Sequence, residues 1–138
     1  MNPWEAYQQH GASEWTRIDL LLALYDGAID RLERGRAAFE VNDAVSARVH
    51  VVRAQRIVAE IMAGLDMSYG EICENLLRLY SFVLSALAVG NIHEIDASLR
   101  VLRVLREGLL GIQAEAIQLE RTGTIPPIGE VHALEATA

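Results

Sequence analysis

Apolar residues recur at alternating three- and four-residue spacings through most of the chain, which is the period of helices with one buried face. The pattern is interrupted by "ND" at residues 42–43, by "GLDMSYG" at residues 64–70 and by "VGN" at residues 89–91. No stretch alternates between apolar and polar residues as a half-buried strand would. The sequence therefore predicts four amphipathic helices, over about residues 16–41, 43–65, 70–90 and 93–121.

Polar residues at the ends of these segments support the predicted boundaries. Thr16 can accept a backbone hydrogen bond at the start of the first helix, and Asp19 can return one, as in a capping box. Asp43 can cap the second helix, and Asn91 is expected to end the third helix in a left-handed conformation. The glycine and the two prolines of "TGTIPP" stop the fourth helix.

Short connections between four long helices favour an all-α fold, an antiparallel up-and-down four-helix bundle. A chain of 138 residues is long enough for one hydrophobic core and too short for two independent ones. We therefore expect one bundle domain at residues 16–121, preceded by a separate amino-terminal segment at residues 1–15 and followed by a flexible tail at residues 122–138.

The predicted helices carry more apolar surface than one core needs. A helix that faces a single core has an apolar stripe roughly 100° wide, whereas the third helix has one on the order of 160°. Leu20 and Leu24 lie beside the main stripe of the first helix, and Val101 and Leu105 lie beside that of the fourth. These side chains either cover each other within the bundle or form a lateral hydrophobic groove for a partner.

Asn75, Leu79 and Phe82 form one strip at the edge of the apolar arc of the third helix. The side-chain amide of Asn75 can donate to and accept from the backbone of a peptide that lies alongside. The same amide could instead bond only to water. The apolar faces could also pair with a second copy of the chain, which would make the protein a homodimeric helical scaffold.

Composition narrows the choice of partners. The formal net charge is -7, which argues against nucleic acid because phosphate binding needs a basic patch. No stretch reaches the roughly 18 uninterrupted apolar residues of a membrane span, so we expect no membrane insertion. The start of the chain lacks the pattern of a signal or transit peptide, which favours a cytoplasmic protein.

Residues with catalytic or metal-binding chemistry are sparse, and we expect no enzyme, no cofactor and no metal site. Cys73 lies within an apolar helical pattern, where a buried inert thiol is expected. Glu71 and Glu74 are one turn apart at a helix start, where a solvated pair is favoured over a metal site. His50, between Arg48 and Arg53, leaves a phosphorelay protein as an alternative.

Five stretches, in order and at consistent separations, resemble the FliS family of flagellin export chaperones over about residues 3–121. They are "AYQQ", "LYDGAI", "RAQRIVAEIMAGLD", "GEICENLLRLYSFV" and "VGNIHEIDASL". The resemblance implies a cytoplasmic helical bundle that binds the disordered carboxy-terminal segment of flagellin, prevents premature polymerisation and aids export. It further implies contact with the export-gate component FlhA and other flagellar factors. We expect the free protein to be a monomer or a weak homodimer.

The resemblance also suggests a role for the amino-terminal stretch "NPWEAYQQ". In this family that stretch resembles a cap over part of the peptide-binding surface. Trp4 and Tyr7 supply the apolar anchors for such a cap, and Tyr7 is also a candidate contact to the bound peptide. A tethered segment of this kind would cover the groove at high effective concentration.

Overall fold

The computed structural model describes residues 15–126, and within this range every regular element is a helix. The four helices are α1 (Arg17–Glu40), α2 (Ala44–Ala63), α3 (Glu71–Val89) and α4 (Ile92–Arg121). One short 3₁₀ turn, Met67–Tyr69, precedes α3. The helices pack in the order α1–α2–α3–α4, and α4 returns to α1, which closes a four-helix bundle. The predicted fold class is confirmed.

The predicted amino-terminal caps of α1 and α2 are present. The backbone N–H of Asp19 donates to the Thr16 hydroxyl at 3.4 Å, and the backbone N–H of Thr16 donates to the Asp19 carboxylate at 3.1 Å. This is the reciprocal capping box, which satisfies amides that have no partner within the helix. Asp43 accepts from the backbone N–H of Ser46 at 3.1 Å and caps α2 in the same manner.

The predicted role of Asn91 is wrong. Gly90 ends α3 with a φ of 73°, and Asn91 has an extended backbone. The Asn91 side chain instead accepts from the backbone N–H of Glu94 at 2.9 Å, so it caps the start of α4. Glycine takes the left-handed position because it has no Cβ to crowd the preceding carbonyl, which frees the asparagine amide for the next helix.

A buried tyrosine pair joins α1 to α3 across the middle of the core. The hydroxyl oxygens of Tyr25 and Tyr80 lie 2.5 Å apart, and their ring centroids are separated by 6.4 Å. Both side chains are almost fully buried among aliphatic residues of all four helices. Each hydroxyl therefore satisfies the other where water cannot reach.

Charged residues close the outer edge of the seam between α1 and α4. Four ion pairs cross this seam: Arg17–Glu120, Asp26–Arg106, Glu33–Arg103 and Arg36–Asp96. Exposed pairs contribute at most about 1 kcal/mol each, but the cation lies on α1 in two pairs and on α4 in the other two, which favours a single register. The α1/α4 edge is therefore polar, whereas the pocket between α3 and α4 is lined mainly by aliphatic side chains.

The most apolar element of the described chain is α3. Judged by length and composition alone, it is the one helix between residues 15 and 126 that could cross a membrane, with a mean hydropathy of 1.5. Only 28% of that apolar window is buried inside the bundle. The inward face carries Tyr80, Val83 and Leu87, and much of the remaining apolar surface is exposed. The surplus apolar surface inferred from the sequence is thus present on α3.

Candidate functional site

A pocket of about 250 Å³ opens on the surface between α3 and α4. It is lined by Leu79 from α3 and by Arg100, Val101, Val104 and Leu105 from α4. The tight turn at residues 90–91 makes α3 and α4 an antiparallel hairpin, so residues at similar distances from the turn lie opposite one another. Leu79 is eleven residues before Gly90, which places it opposite the aliphatic residues of α4.

The pocket lies within a longer apolar strip on α3. Ile72, Leu79, Phe82 and Val89 follow seven- and three-residue spacings that keep them on one face of the helix, and all four are exposed. The exposed fractions are 65% for Ile72, 38% for Leu79 and 47% for Phe82. Exposed apolar surface of this kind on a bundle is a candidate site for another molecule.

The α4 side of the same edge is also apolar. Val104 is 70% exposed, and Ile112, two turns further along, is 52% exposed. Val101 and Leu105 are half-buried and pack against the bundle core. We use the name α3/α4 groove for the surface formed by five residues: Leu79, Phe82, Val101, Val104 and Leu105. Val101 and Leu105 form the floor of this groove, and Val104 forms one rim.

The structure brings some of the sequence-predicted site residues together. Leu79, Val101 and Leu105 line one pocket, as a lateral groove would require. Asn75 and Phe82 are exposed on α3, one turn before and one turn after Leu79. Neither of these two residues lines the pocket, and their roles in binding a partner stay predictions.

Other predicted residues lie elsewhere or outside the described range. Leu20 and Leu24 are half-buried on α1, and Leu24 packs against the bundle core. The helix that carries them contacts α2 and α4, and neither residue lines the α3/α4 pocket. Trp4 and Tyr7, the proposed capping residues, fall outside residues 15–126.

Sequence reasoning missed two residues of the pocket, Arg100 and Val104. Val104 lies one turn beyond Val101, so extending the apolar arc outward along α4 would have found it. Arg100 gave no such signal, because an arginine on an amphipathic helix reads as ordinary solvated surface. Only the position of α3 beside α4 shows that its side chain borders an apolar pocket.

Asp96 and Arg100 lie one turn apart on α4, and they differ in their ion pairs within residues 15–126. The Arg36 guanidinium donates to both carboxylate oxygens of Asp96, from Nε at 2.6 Å and from Nη2 at 3.4 Å. These bonds lower the pKa of Asp96, and the more distant charges of Arg100 and His93 lower it further. The Arg100 guanidinium makes no hydrogen bond or ion pair within residues 15–126, and its charge acts on Asp96 only at longer range.

His50, the residue of the phosphorelay alternative, lies on the opposite side of the bundle between α1 and α2. Its Nδ1 atom is 3.3 Å from Nη1 of Arg31. Burial, together with the charges of Arg31, Arg34 and Arg53, lowers the pKa of His50. The lowered pKa favours the neutral imidazole, whose Nδ1 can accept from Arg31. That contact occupies one of the two ring nitrogens that a phosphoryl group could take.

The cysteine and the two glutamates that could take part in catalysis or metal binding lie where helix packing or helix capping accounts for them. Cys73 is buried against the core, as expected for an inert thiol. Glu71 and Glu74 occupy the first turn of α3, where carboxylates interact favourably with the helix dipole. In the part of the chain from residue 15 to residue 126, no three His, Cys, Asp or Glu side chains converge on a common point that could hold a metal ion.

Comparison with known proteins gives two matches. A family model described as "Flagellar protein FliS" matches residues 1–117. A curated relative, the flagellar secretion chaperone FliS of Bacillus subtilis (strain 168), is 26% identical over 120 residues. That alignment covers 87% of this chain and 90% of the relative. The two matches agree with the resemblance carried by the sequence motifs.

Proposed function

Because the chain belongs to the FliS family of flagellar proteins, a family of chaperones rather than enzymes, we propose that it binds the carboxy-terminal segment of flagellin in the α3/α4 groove. The observation that carries this proposal is the exposed apolar strip of α3 beside a pocket lined mainly by aliphatic side chains. The matched relative is named as a flagellar secretion chaperone, which supports the same assignment for this chain.

The geometry suits a peptide better than a small molecule. A pocket of about 250 Å³ lies below the range of roughly 300–1,000 Å³ usual for small-molecule sites, whereas it has room for an apolar side chain. The strip on α3 runs from Ile72 to Val89, about 25 Å at 1.5 Å per residue, which matches the length of several helical turns. An amphipathic helix can lie along such a groove through residues spaced by three and four.

Binding would be sequestration without turnover. A disordered segment that folds in the groove covers its own apolar residues together with those of α3 and α4, and no covalent bond is made or broken. The covered segment cannot join a filament, which would prevent premature polymerisation. We further propose that the complex forms in the cytoplasm and is delivered to the export gate, with FlhA as a contact.

The amino-terminal segment at residues 1–15 extends this proposal. Its two aromatic anchors, Trp4 and Tyr7, would occupy the groove before flagellin arrives and would shield its apolar surface. The support is their apolar character in an otherwise polar stretch.

Asn75 would hold the backbone of the bound peptide from the edge of the strip. Leu20 and Leu24 on α1 would then contact the partner only where it extends beyond the α3/α4 groove.

A matched pair of valine substitutions tests the groove. Val104 is 70% exposed on the groove rim, whereas Val45 is 78% exposed in the first turn of α2. Covering a valine on binding is worth about 1.5 kcal/mol, so Val104→Ser should weaken affinity for the cognate flagellin segment about tenfold. Val45→Ser should leave affinity unchanged. Isothermal titration with both variants measures the difference, and thermal unfolding checks that both remain folded.

Light scattering during the same titration separates the chaperone from the homodimeric scaffold. The proposed function predicts a one-to-one complex of chain and peptide. A dimer that persists at saturating peptide would favour pairing of the apolar faces between two copies instead. Failure of the unaltered chain to bind the cognate segment in the micromolar range would contradict the proposed function.

A further inference from the structure

Arg100 is the charged residue at the edge of the α3/α4 pocket. Of the five side chains that line the described pocket, four are aliphatic and the fifth is Arg100. The lining is apolar, so Arg100 borders the pocket with the carbon atoms of its side chain, and its guanidinium is not part of the lining. A partner that fits it needs an apolar side chain for the interior and a group that matches a guanidinium at the margin.

Two other arginines in the middle of α4 form ion pairs with acidic residues of α1. Arg103 reaches Glu33 at 2.7 Å, and Arg106 reaches Asp26, so both are used in the seam with α1. Arg100 is three residues before Arg103, and its side chain lines the pocket beside α3. The nearest acidic group one turn away, Asp96, is already held by Arg36. Bundle packing therefore gives Arg100 no hydrogen bond or ion pair within residues 15–126, and only a longer-range interaction with Asp96.

We propose that Arg100 binds an aspartate or glutamate side chain of the peptide that occupies the α3/α4 groove. The acidic residue would lie about one helical turn from the apolar residue that enters the pocket, because residues three or four apart share a face of a helix. This inference rests on the proposed function and adds a chemical requirement for the bound segment. It makes Arg100 a residue that sets specificity and register.

A side-chain carboxylate fits better than the terminal carboxylate of the peptide. The exposed apolar strip continues on both sides of the pocket, toward Ile72 and Ile112 in one direction and toward Phe82 and Val89 in the other. A segment that covers the whole strip passes over the pocket rather than ending there. The carboxylate that meets Arg100 is then an internal one.

The charge of the whole chain makes this contact selective. At a net charge of -7 the protein repels acidic segments over long distances. A cation beside the pocket favours an acidic residue at the peptide position that faces it. The contact also gains strength when the peptide covers it, because charge-assisted hydrogen bonds are stronger when water is displaced.

A double-mutant cycle between chain and peptide tests the inference. The probe is the carboxy-terminal segment of the cognate flagellin, together with versions in which each acidic residue in turn is replaced by its amide. Arg100→Gln should weaken binding of the native segment about five- to tenfold, as expected for loss of a partly buried charged hydrogen bond. One amide version should bind the unaltered chain equally weakly, and Arg100→Gln should cause no further loss with it.

Arg53→Gln is the matched control, because Arg53 is exposed on α2, makes no ion pair within the described chain and carries the same charge. It should leave the affinity of every peptide unchanged. Equal losses for Arg53→Gln and Arg100→Gln would reduce the effect to net charge and overturn the inference. Losses that simply add for every amide version would overturn it as well.

A peptide with an amidated carboxy terminus distinguishes the two sources of carboxylate. The inference predicts that amidation leaves the affinity unchanged. An affinity loss on amidation that disappears in Arg100→Gln would assign Arg100 to the terminus and contradict the internal position. If the unaltered chain binds the segment but shows no coupling with Arg100, only this inference fails. If it does not bind at all, the proposed function fails and this inference with it.

Discussion

Replacing Tyr25 by phenylalanine should destabilise the protein more than replacing Tyr25 and Tyr80 together. The two hydroxyl oxygens are 2.5 Å apart, and the residues are 1% and 2% exposed. Removing one hydroxyl leaves the other buried without a partner. Removing both leaves two phenylalanine rings in an apolar core, where no polar group lacks a partner.

The expected magnitudes follow from this asymmetry. A buried polar group without a partner costs about 1–3 kcal/mol, whereas removing both partners of a buried hydrogen bond is nearly neutral. Tyr25→Phe and Tyr80→Phe should therefore each lower the free energy of unfolding by about 1–3 kcal/mol. The double variant should lie within about 1 kcal/mol of the original protein. For a chain of this length, 1 kcal/mol corresponds to a shift in melting temperature of about 3–5 °C.

Urea unfolding of the four proteins, followed by circular dichroism, measures the cycle. The slope of the free energy of unfolding against urea should not change, because the amount of buried surface stays the same. If the two single substitutions have no effect, or if their costs add in the double variant, the hydroxyls do not satisfy each other and the described core geometry is wrong.

The same pair predicts a loss of stability at alkaline pH. Burial raises the pKa of Tyr25, and its hydrogen bond with Tyr80 raises it further, while burial also raises the pKa of Tyr80. The unfolded chain releases these protons near pH 10 and the folded chain does so only above that pH. Stability is therefore full below about pH 10 and falls above it, by up to about 1.4 kcal/mol per pH unit for each tyrosine. Tyr25→Phe should halve this slope.

Three further predictions concern other regions. Gly108→Ala should raise the free energy of unfolding by about 0.5–1 kcal/mol in urea unfolding, because a Cβ at this position of α4 meets nothing within 4 Å; Gly90→Ala should lower it, because the φ there is 73°. Asn75→Leu should weaken peptide binding in calorimetry while stability is unchanged or raised, and a collapse in stability would make Asn75 a structural residue. Deleting residues 2–12 should increase binding of a hydrophobic dye, and unchanged dye fluorescence would argue against the proposed cap.

The sequence predicted the fold well because the relevant signals are local. Apolar periodicity and side-chain caps depend on residues within a few positions of each other, so Thr16 and Asp19 identified the start of α1 correctly. The error at Asn91 arose where two adjacent residues could each take the left-handed position. Gly90 does so at lower cost, and the asparagine serves the next helix.

The site was predictable only in part because it depends on which helices are neighbours. Helical periodicity showed that Leu24 and Leu105 lie beside the main apolar stripes of their helices. It could not show that Leu105 would join Leu79 in one pocket while Leu24 would pack against the core. Arg100 became a candidate only once its place at that pocket and the pairing of Asp96 with Arg36 were known.

Hydrogen–deuterium exchange with and without the carboxy-terminal segment of the cognate flagellin tests the central claim most directly, because it shows where the segment binds. The α3/α4 groove predicts slower exchange of backbone amides over residues 72–89 of α3 and 100–112 of α4 when the segment is bound. Residues 45–56 of α2, which are away from the groove, should exchange equally in both samples. Protection confined to α1 and α2, or no protection anywhere in the four helices, would contradict flagellin binding at the α3/α4 groove.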